Sequence, residues 1–200
     1  MKQYIIRNLD EKDFSKADTL KIDVFSWLDG YKPETYAQVI FVKGEGFYVR
    51  MKCMEKNPRA VYKNYHDPVC NDSCVEFFFN FAPEKQDKYA NMEVNALGTI
   101  DCSFGSSRHD RVLVTNLWDN LPEIKVEKQE DYWQVEYLLT TDMLEKMFGT
   151  INTQSGAVYK ANFFKCGDKT EIPHYALWSP VDTPTPDYHR PEFFGELVLE

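Results

Sequence analysis

The sequence lacks the features that mark several common classes of protein. Basic residues are outnumbered, with 23 Lys and Arg against 32 Asp and Glu, and the net charge is −9. No basic run offers a footprint for nucleic acid or for an anionic membrane surface, so neither is expected as a partner. No apolar stretch reaches the roughly 20 residues of a membrane-spanning helix. The apolar run near the N-terminus, Tyr4-Ile5-Ile6, is too short for a signal peptide. The expectation is a cytoplasmic protein, or a secreted or periplasmic one if an export signal has been removed.

Cysteine, glycine and proline are also scarce. Five cysteines, an odd number in a chain of 200 residues, argue against a disulfide framework. Cys70 and Cys74 are close in sequence, but no second pair completes a zinc site on sulfur. Cys53 and Cys166 lie in alternating apolar segments and are expected in the core. With 9 Gly and 10 Pro the chain is no low-complexity sequence, and we expect one domain over residues 1–200.

What the sequence does contain is aromatic residues, at 15 %, and a hydrophobic period of two. Aromatic and β-branched residues favour strands, and alternation predicts strands with one buried face. The alternating segments are 39–41, 47–53, 75–81, 90–96, 133–139, 158–165 and 194–199. Short strands at regular spacing predict an all-β, antiparallel sandwich of the immunoglobulin-like or jelly-roll type, since no helical crossovers are available for parallel pairing.

Three segments interrupt this pattern. Gly44-Glu45-Gly46 predicts a hairpin turn between two strands. Residues 141–148 predict the one short helix, with Thr141 as its N-cap and Gly149 ending it. Residues 179–191 contain four prolines, which predict an extended loop.

The polar faces of three strands are the most informative feature. Glu76 and Asn80 share a face of one strand, Glu93 and Asn95 a face of the next, and Lys160 and Asn162 a face near the C-terminus. Carboxylate, amide and ammonium groups can satisfy sugar hydroxyls, which both donate and accept hydrogen bonds. The alternative is that these residues form the ordinary wet face of a sandwich sheet.

One segment on these strands carries a family resemblance. Asp72-Ser73-Cys74-Val75-Glu76 resembles the Asp-Ser-x-x-Glu strand of family 9 carbohydrate-binding modules, β-sandwich domains first known as accessory domains of xylanases. Residues 91–98, 156–162 and 189–197, together with Trp178-Ser179-Pro180, fit the same group in order and spacing. The resemblance implies noncatalytic binding of a mono- or oligosaccharide derived from plant polysaccharides.

The resemblance also implies site residues. Glu76 takes the carboxylate position, Lys160 and Asn162 fall where the family has a Gln and an Asn, and Trp178 fits one tryptophan of the sugar clamp. Arg108 is the arginine nearest to the expected position, and the nearest aromatic residue before Asp72 is Tyr65 rather than a tryptophan. The candidate carbohydrate-binding residues are Glu76, Glu93, Asn95, Arg108, Lys160, Asn162 and Trp178.

Two other functions remain open at this level. A small glycoside hydrolase would use Glu76 and Glu93 as acid and nucleophile or base on opposite sides of a groove. A structural or protein-interaction sandwich would use neither residue. The sequence leaves the sugar and the oligomeric state undetermined.

Candidate metal ligands and platforms are few. Asp67, Asn71 and Asp72 could supply oxygen ligands for calcium, which related modules carry, although the same residues suit a turn. No other cofactor is expected. Trp118 is either an exposed platform or a half-buried residue under a loop, and Trp27 and Trp133 are expected in the core. The four histidines lack metal-ligand spacing and are expected in loops: His66, His109, His174 and His189.

Overall fold

The computed structural model describes residues 2–200, within which the chain forms thirteen strands and one α-helix. The strands are β1 (Gln3–Leu9), β2 (Leu20–Lys21), β3 (Thr35–Val42), β4 (Gly46–Cys53), β5 (Cys74–Asn80), β6 (Tyr89–Asn95), β7 (Ile100–Gly105), β8 (Arg111–Leu113), β9 (Lys125–Lys128), β10 (Trp133–Thr140), β11 (Val158–Cys166), β12 (Tyr175–Leu177) and β13 (Gly195–Leu199). The helix, α1, is Thr141–Phe148. The all-β prediction is confirmed.

The strands form two layers that β1 joins. The first layer has the order β8-β7-β6-β5-β11-β13, and the second β3-β4-β10-β9. The first half of β1 pairs in parallel with β13, and its last three residues pair in parallel with β3. Every other strand pair within residues 2–200 is antiparallel, as predicted. The sheet is therefore mixed. The parallel neighbours of β1 come from distant parts of the chain, which local alternation does not reveal.

The main core lies between the two layers. Alternate residues of β5 and β11 face inward, and the rings of Phe77 and Phe163 stack with centroids 4.4 Å apart. From the second layer, Trp133 is fully buried, and Cys53 is buried beside it, as predicted. Because one face of each strand is committed to this core, the residues in between must point to the outer faces.

A second apolar cluster lies on the outer face of the first layer. Phe78, Phe164 and Cys166 point outward there and are buried. They are covered by residues 179–194, here called the covering loop. Residues 179–190 form neither helix nor strand, as the prolines predict, and a 3-10 turn at Pro191–Phe193 precedes β13. Trp27 packs half-buried against this cluster, not in the main core as predicted. The first layer is therefore buried on both faces along part of its length.

The predicted helix and hairpin are both present. The side chain of Thr140, one residue before the predicted cap, accepts a hydrogen bond from the backbone of Met143, and α1 ends at Gly149, whose φ is 71°. In the β3–β4 hairpin, Gly46 has φ 140°, and a Cβ there would lie 2.2 Å from the carbonyl oxygen of Leu139. Only glycine fits this position. No helix within residues 2–200 is long and apolar enough to cross a membrane.

Candidate functional site

A cavity of about 170 Å³ lies between the outer face of the first layer and the covering loop. It is called the loop-covered cavity below. Three of the seven predicted site residues line it: Glu76, Glu93 and Arg108. The full lining is Cys70, Glu76, Phe78, Glu93, Arg108, Cys166, Asp168, Tyr175, Pro186, Asp187, Tyr188 and His189. A larger depression of about 540 Å³ beside Tyr31 and Glu55 contains none of the predicted residues.

Two carboxyl groups form the floor of the cavity. Glu76 on β5 and Glu93 on β6 are direct cross-strand partners and are only 2 % and 7 % exposed. The Cys166 thiol donates to Oε1 of Glu76 at 2.9 Å, and the side-chain amide of Asn91 donates to Oε1 of Glu93 at 3.0 Å. Burial raises the pKa of Glu76 to about 8. Burial, and then the negative charge of Glu76, raise the pKa of Glu93 well above its ordinary value.

Neither of these carboxyl groups forms an ion pair with any residue in 2–200. Arg108 stands at the rim, half-exposed, and donates to Asp187 at 2.7 Å. Arg111 donates to the backbone carbonyls of Tyr89 and Ser103 and stacks over the Tyr89 ring at 4.5 Å. Both arginines are thus committed to other groups, and the floor presents carboxyl groups without a cation.

The walls of the cavity are largely aromatic. Tyr188 lies on the covering loop and Tyr175 on β12, and Trp27 packs behind both, with ring centroids 5.9 and 6.3 Å away. His189 Nδ1 lies 2.9 Å from the hydroxyl of Tyr89. Burial and the nearby arginines lower the pKa of His189 to about 3, so this ring is neutral. Flat rings beside carboxyl and hydroxyl groups suit a ligand that has both apolar and hydrogen-bonding surfaces.

Most residues of the walls carry no sequence signal that assigns them to the site. Asp168, Tyr175, Tyr188 and His189 lie in loops or in a three-residue strand, where no periodicity marks a shared face. Burial raises the pKa of Asp168, so this group also lacks full solvation. One sequence signal did point to the wall, since residues 189–197, which begin in the covering loop, carry part of the family resemblance.

Asn95 lies outside the cavity and organises a turn. Its side-chain oxygen accepts from the backbone of Leu97 and Thr99, each at 3.0 Å. Its side-chain nitrogen donates to the carbonyl of Tyr62 and to Asp72, each at 2.9 Å. These contacts hold the connection between β6 and β7 against the preceding loop.

Lys160 and Asn162 share the outer face with Glu76 but lie further along β11. The cross-strand partner of Glu76 is Phe164, so the two residues are displaced from the cavity floor. Lys160 contacts Glu196 at 2.9 Å. Asn162 is fully buried, and its side-chain amide bonds both the N–H and the carbonyl of Ser179, at 2.8 and 2.9 Å. Asn162 therefore anchors the start of the covering loop.

Trp178 lies in the main core. It is 3 % exposed and packs edge-on against Phe163 at 5.8 Å. Its ring also fills the space beside Gly195, where a Cβ would come within 2.5 Å of it. Trp178 thus takes the position of a core residue at the end of the sandwich and does not line the loop-covered cavity, although the resemblance implied a clamp tryptophan there.

Two of the three candidate calcium ligands, Asp67 and Asp72, accept hydrogen bonds from the local backbone. One carboxylate oxygen of Asp67 accepts from the backbone of Lys63 and Asn64, at 3.1 and 2.8 Å. Asp72 accepts from the backbone of Val61 and Tyr62, at 2.9 and 3.0 Å. This is turn chemistry, which holds the loop before β5.

A different group of potential metal ligands lies at the cavity floor. Ligand atoms of Cys74, Glu76 and Cys166 lie within 4.8 Å of one another, and all three residues are buried. Trp118, the other candidate platform, is half-buried and packs against the main core.

A β-sandwich with a small, partly open cavity on one face has the architecture of a ligand-binding module. The chain belongs to carbohydrate-binding family 9, whose family model matches residues 8–199. The resemblance found in the Asp-Ser-x-x-Glu strand is thereby confirmed. No curated protein matches the chain significantly.

Solved structures share the fold over the whole chain. A protein of Bacteroides uniformis assigned to carbohydrate binding has a TM-score of 0.83 at 24 % identity, with 100 % of this chain and 99 % of that chain covered. A family 9 module from Caldicellulosiruptor kristjanssonii in complex with glucose has a TM-score of 0.70 at 12 % identity, with 100 % and 96 % covered. The same organism's family 9 module in complex with cellotriose has a TM-score of 0.67 at 12 % identity, with 100 % and 94 % covered.

Proposed function

We propose that this protein binds a carbohydrate without altering it chemically, and that the ligand occupies the loop-covered cavity. The observation that carries the proposal is the position of Glu76. The glutamate of the Asp-Ser-x-x-Glu strand lies on the floor of a cavity that also has a second carboxyl group and aromatic walls. The cavity lies in a chain that belongs to a carbohydrate-binding family.

The lining matches the chemistry of a sugar. Carboxyl groups of Glu76 and Glu93 can pair with ring hydroxyls, and the half-exposed Arg108 has further N–H donors at the rim beside the one that bonds Asp187. The half-buried ring of Tyr175 supplies apolar surface for the C–H face of a pyranose, and the buried ring of Tyr188, stacked on Phe164 at 4.0 Å, lies behind it in the wall. At about 170 Å³ the cavity is smaller than the roughly 300–1,000 Å³ of a drug-sized pocket. It therefore suits one sugar unit, free or at the end of a chain.

The relatives suggest which sugars to test first. The Caldicellulosiruptor kristjanssonii modules are in complex with glucose and with cellotriose. Glucose and short gluco-oligosaccharides are therefore the first ligands proposed for this chain, followed by xylo-oligosaccharides.

The geometry of the two glutamates favours binding over hydrolysis. A glycosidase places its two carboxyl groups on either side of the scissile bond. Glu76 and Glu93 are instead adjacent on one floor and approach a ligand from the same side. The proposal is accordingly a binding module and not a glycoside hydrolase.

Calorimetric titration of the protein with glucose, cellotriose and xylotriose tests this proposal. Glu93→Gln should weaken binding by about 1–3 kcal/mol, or roughly tenfold to a hundredfold, because it replaces a carboxyl oxygen that can accept a hydrogen bond with an NH₂ group that can only donate. Glu196→Gln is the matched control, since Glu196 is a strand glutamate outside the cavity. The control should bind like the parent.

A reducing-end assay on xylan and on glucans runs beside the titration. No product should accumulate. Steady release of reducing ends that Glu93→Gln abolishes would contradict the proposal, and so would an absence of binding to every glycan tested.

A further inference from the structure

Two thiols and a carboxyl group meet at the cavity floor because of strand register. Cys74 on β5 and Cys166 on β11 are direct cross-strand partners. Glu76 follows Cys74 by two residues, so both side chains point to the same outer face of the sheet. Their ligand atoms lie within 4.8 Å of one another, and all three side chains are buried.

The three groups have few strong partners of their own. The Cys74 sulfur makes a weak contact with the carbonyl of Val75 at 3.7 Å, and the Cys166 thiol donates to Glu76 at 2.9 Å. Glu76 forms no ion pair with any residue that the structure describes. A buried carboxyl group without a cation is costly to ionise. A cation between the two sulfurs and this oxygen would remove that cost.

We infer that Cys74, Glu76 and Cys166 form a binding site for a thiophilic divalent cation, with Zn²⁺ as the natural occupant. Two sulfur ligands and one carboxylate oxygen suit zinc, whereas calcium and magnesium take oxygen ligands. Zinc binding would convert both thiols to thiolates and the Glu76 carboxyl group to a carboxylate, and the protons released by the three groups would leave to solvent.

The site has an open side. Glu76 and Cys166 both line the loop-covered cavity, and Cys70 lines it beside them. Zinc sites with three protein ligands keep a fourth position for water or for a ligand. Here a water molecule or a ligand in the cavity would fill that fourth position. The inference is independent of the proposed sugar binding, although the two share Glu76.

Metal titration of the reduced, chelator-treated protein tests the site without any sugar. Cd²⁺ serves as the spectroscopic probe, because cadmium bound to thiolates gives an ultraviolet charge-transfer band, and Zn²⁺ affinity follows from competition with a chromophoric chelator. The parent should take up one equivalent of either ion and show the cadmium–thiolate band.

Two single variants and one control locate the ligands. Cys74→Ala and Cys166→Ala should each diminish the band and weaken Zn²⁺ binding by about tenfold or more. Cys102→Ala is the control, because Cys102 is a buried thiol of the main core. It should retain both the band and the affinity. Circular dichroism establishes that each variant is folded, and Glu76→Gln, which keeps both thiols, should weaken Zn²⁺ binding without abolishing the band.

The outcomes separate cleanly. Absence of the band in the folded parent, a band unchanged in Cys166→Ala, or binding of Ca²⁺ in preference to Zn²⁺ would each overturn the inference. Metal binding without binding of any glycan would overturn the proposed function and leave this site intact. Sugar binding by a parent that takes up no cadmium would overturn the metal site and leave the proposed function intact.

Discussion

The Nζ atom of Lys165 lies 2.7 Å from Nε2 of His174 in the interior of the protein. Lys165 is fully buried and also lies 3.6 Å from a carboxylate oxygen of Glu55. Because the ammonium group can only donate, Nε2 of His174 accepts, and Nδ1 donates to the carbonyl of Ile172 at 2.9 Å. Burial and the charge of Lys165 lower the pKa of His174 to about 4.

This arrangement predicts a loss of stability in mild acid. The pKa of His174 falls from an ordinary 6.5 to about 4 on folding. Between these values the unfolded chain binds more protons, so the free energy of unfolding decreases as the pH falls through that window. Thermal midpoints measured from pH 7 to 4 should fall less steeply in His174→Gln than in the parent. The exposed-loop variant His109→Gln should keep the parental slope, and equal slopes in all three proteins would contradict the prediction.

Asn162 should matter for stability and, through the covering loop, for binding. Asn162→Ala leaves the N–H and the carbonyl of Ser179 without their partners. Each buried group left unpaired costs about 1–3 kcal/mol, so urea unfolding should show a loss of at least about 2 kcal/mol. Sugar affinity should also fall, because the loop that carries Tyr188 loses an anchor. Asn120→Ala, at an exposed position, should be neutral in both measurements.

Trp178 is predicted to stabilise the fold and not to contact the ligand. Replacing a buried tryptophan by alanine costs about 3–5 kcal/mol, and Trp178→Ala should lose that much in chemical denaturation. Trp178→Phe retains most of the packing and should bind sugar within about twofold of the parent. Loss of sugar binding in Trp178→Ala at an unchanged melting temperature would instead place the ring against the ligand.

Substitution by alanine should destabilise the protein to different extents at the two glycines of the β3–β4 hairpin. Both have positive φ, but a Cβ at Gly44 meets nothing within 4 Å, whereas one at Gly46 meets the carbonyl oxygen of Leu139. Gly44→Ala should cost about 1–2 kcal/mol from backbone strain alone. Gly46→Ala should cost clearly more, since the backbone of β10 must move. Equal losses in the free energy of unfolding for the two variants, measured in urea, would contradict the contact expected at Gly46.

The cavity floor was predictable from sequence, but the rest of the site was not. Alternation placed Glu76 and Glu93 on outer faces, and the Asp-Ser-x-x-Glu strand marked Glu76 as a candidate binding residue. Lys160 and Asn162 lie on the predicted face, yet register sets Phe164 opposite Glu76 and moves both away from the cavity. A strand's own sequence carries little information about register, which depends on the pairing of distant segments.

The cavity walls depended on contacts across most of the chain. The position of the covering loop follows from Asn162 bonding Ser179 and from Trp27 donating to the carbonyl of Thr183. These tertiary contacts have no local pattern. Local alternation does not predict β1 for the same reason, since β1 pairs in parallel with the distant strands β3 and β13.

Many binding sites use the same residues to support the fold and to contact the ligand. The covering loop separates these two roles. The floor is built on paired strands that also form the main core, so most changes there would disturb folding. Part of the wall comes from residues 186–189, in a segment without strand pairing. Libraries confined to Pro186, Asp187 and His189, which leave the buried Tyr188 in place, should therefore alter ligand preference while the sandwich stays intact, which makes this scaffold suitable for designing new sugar receptors.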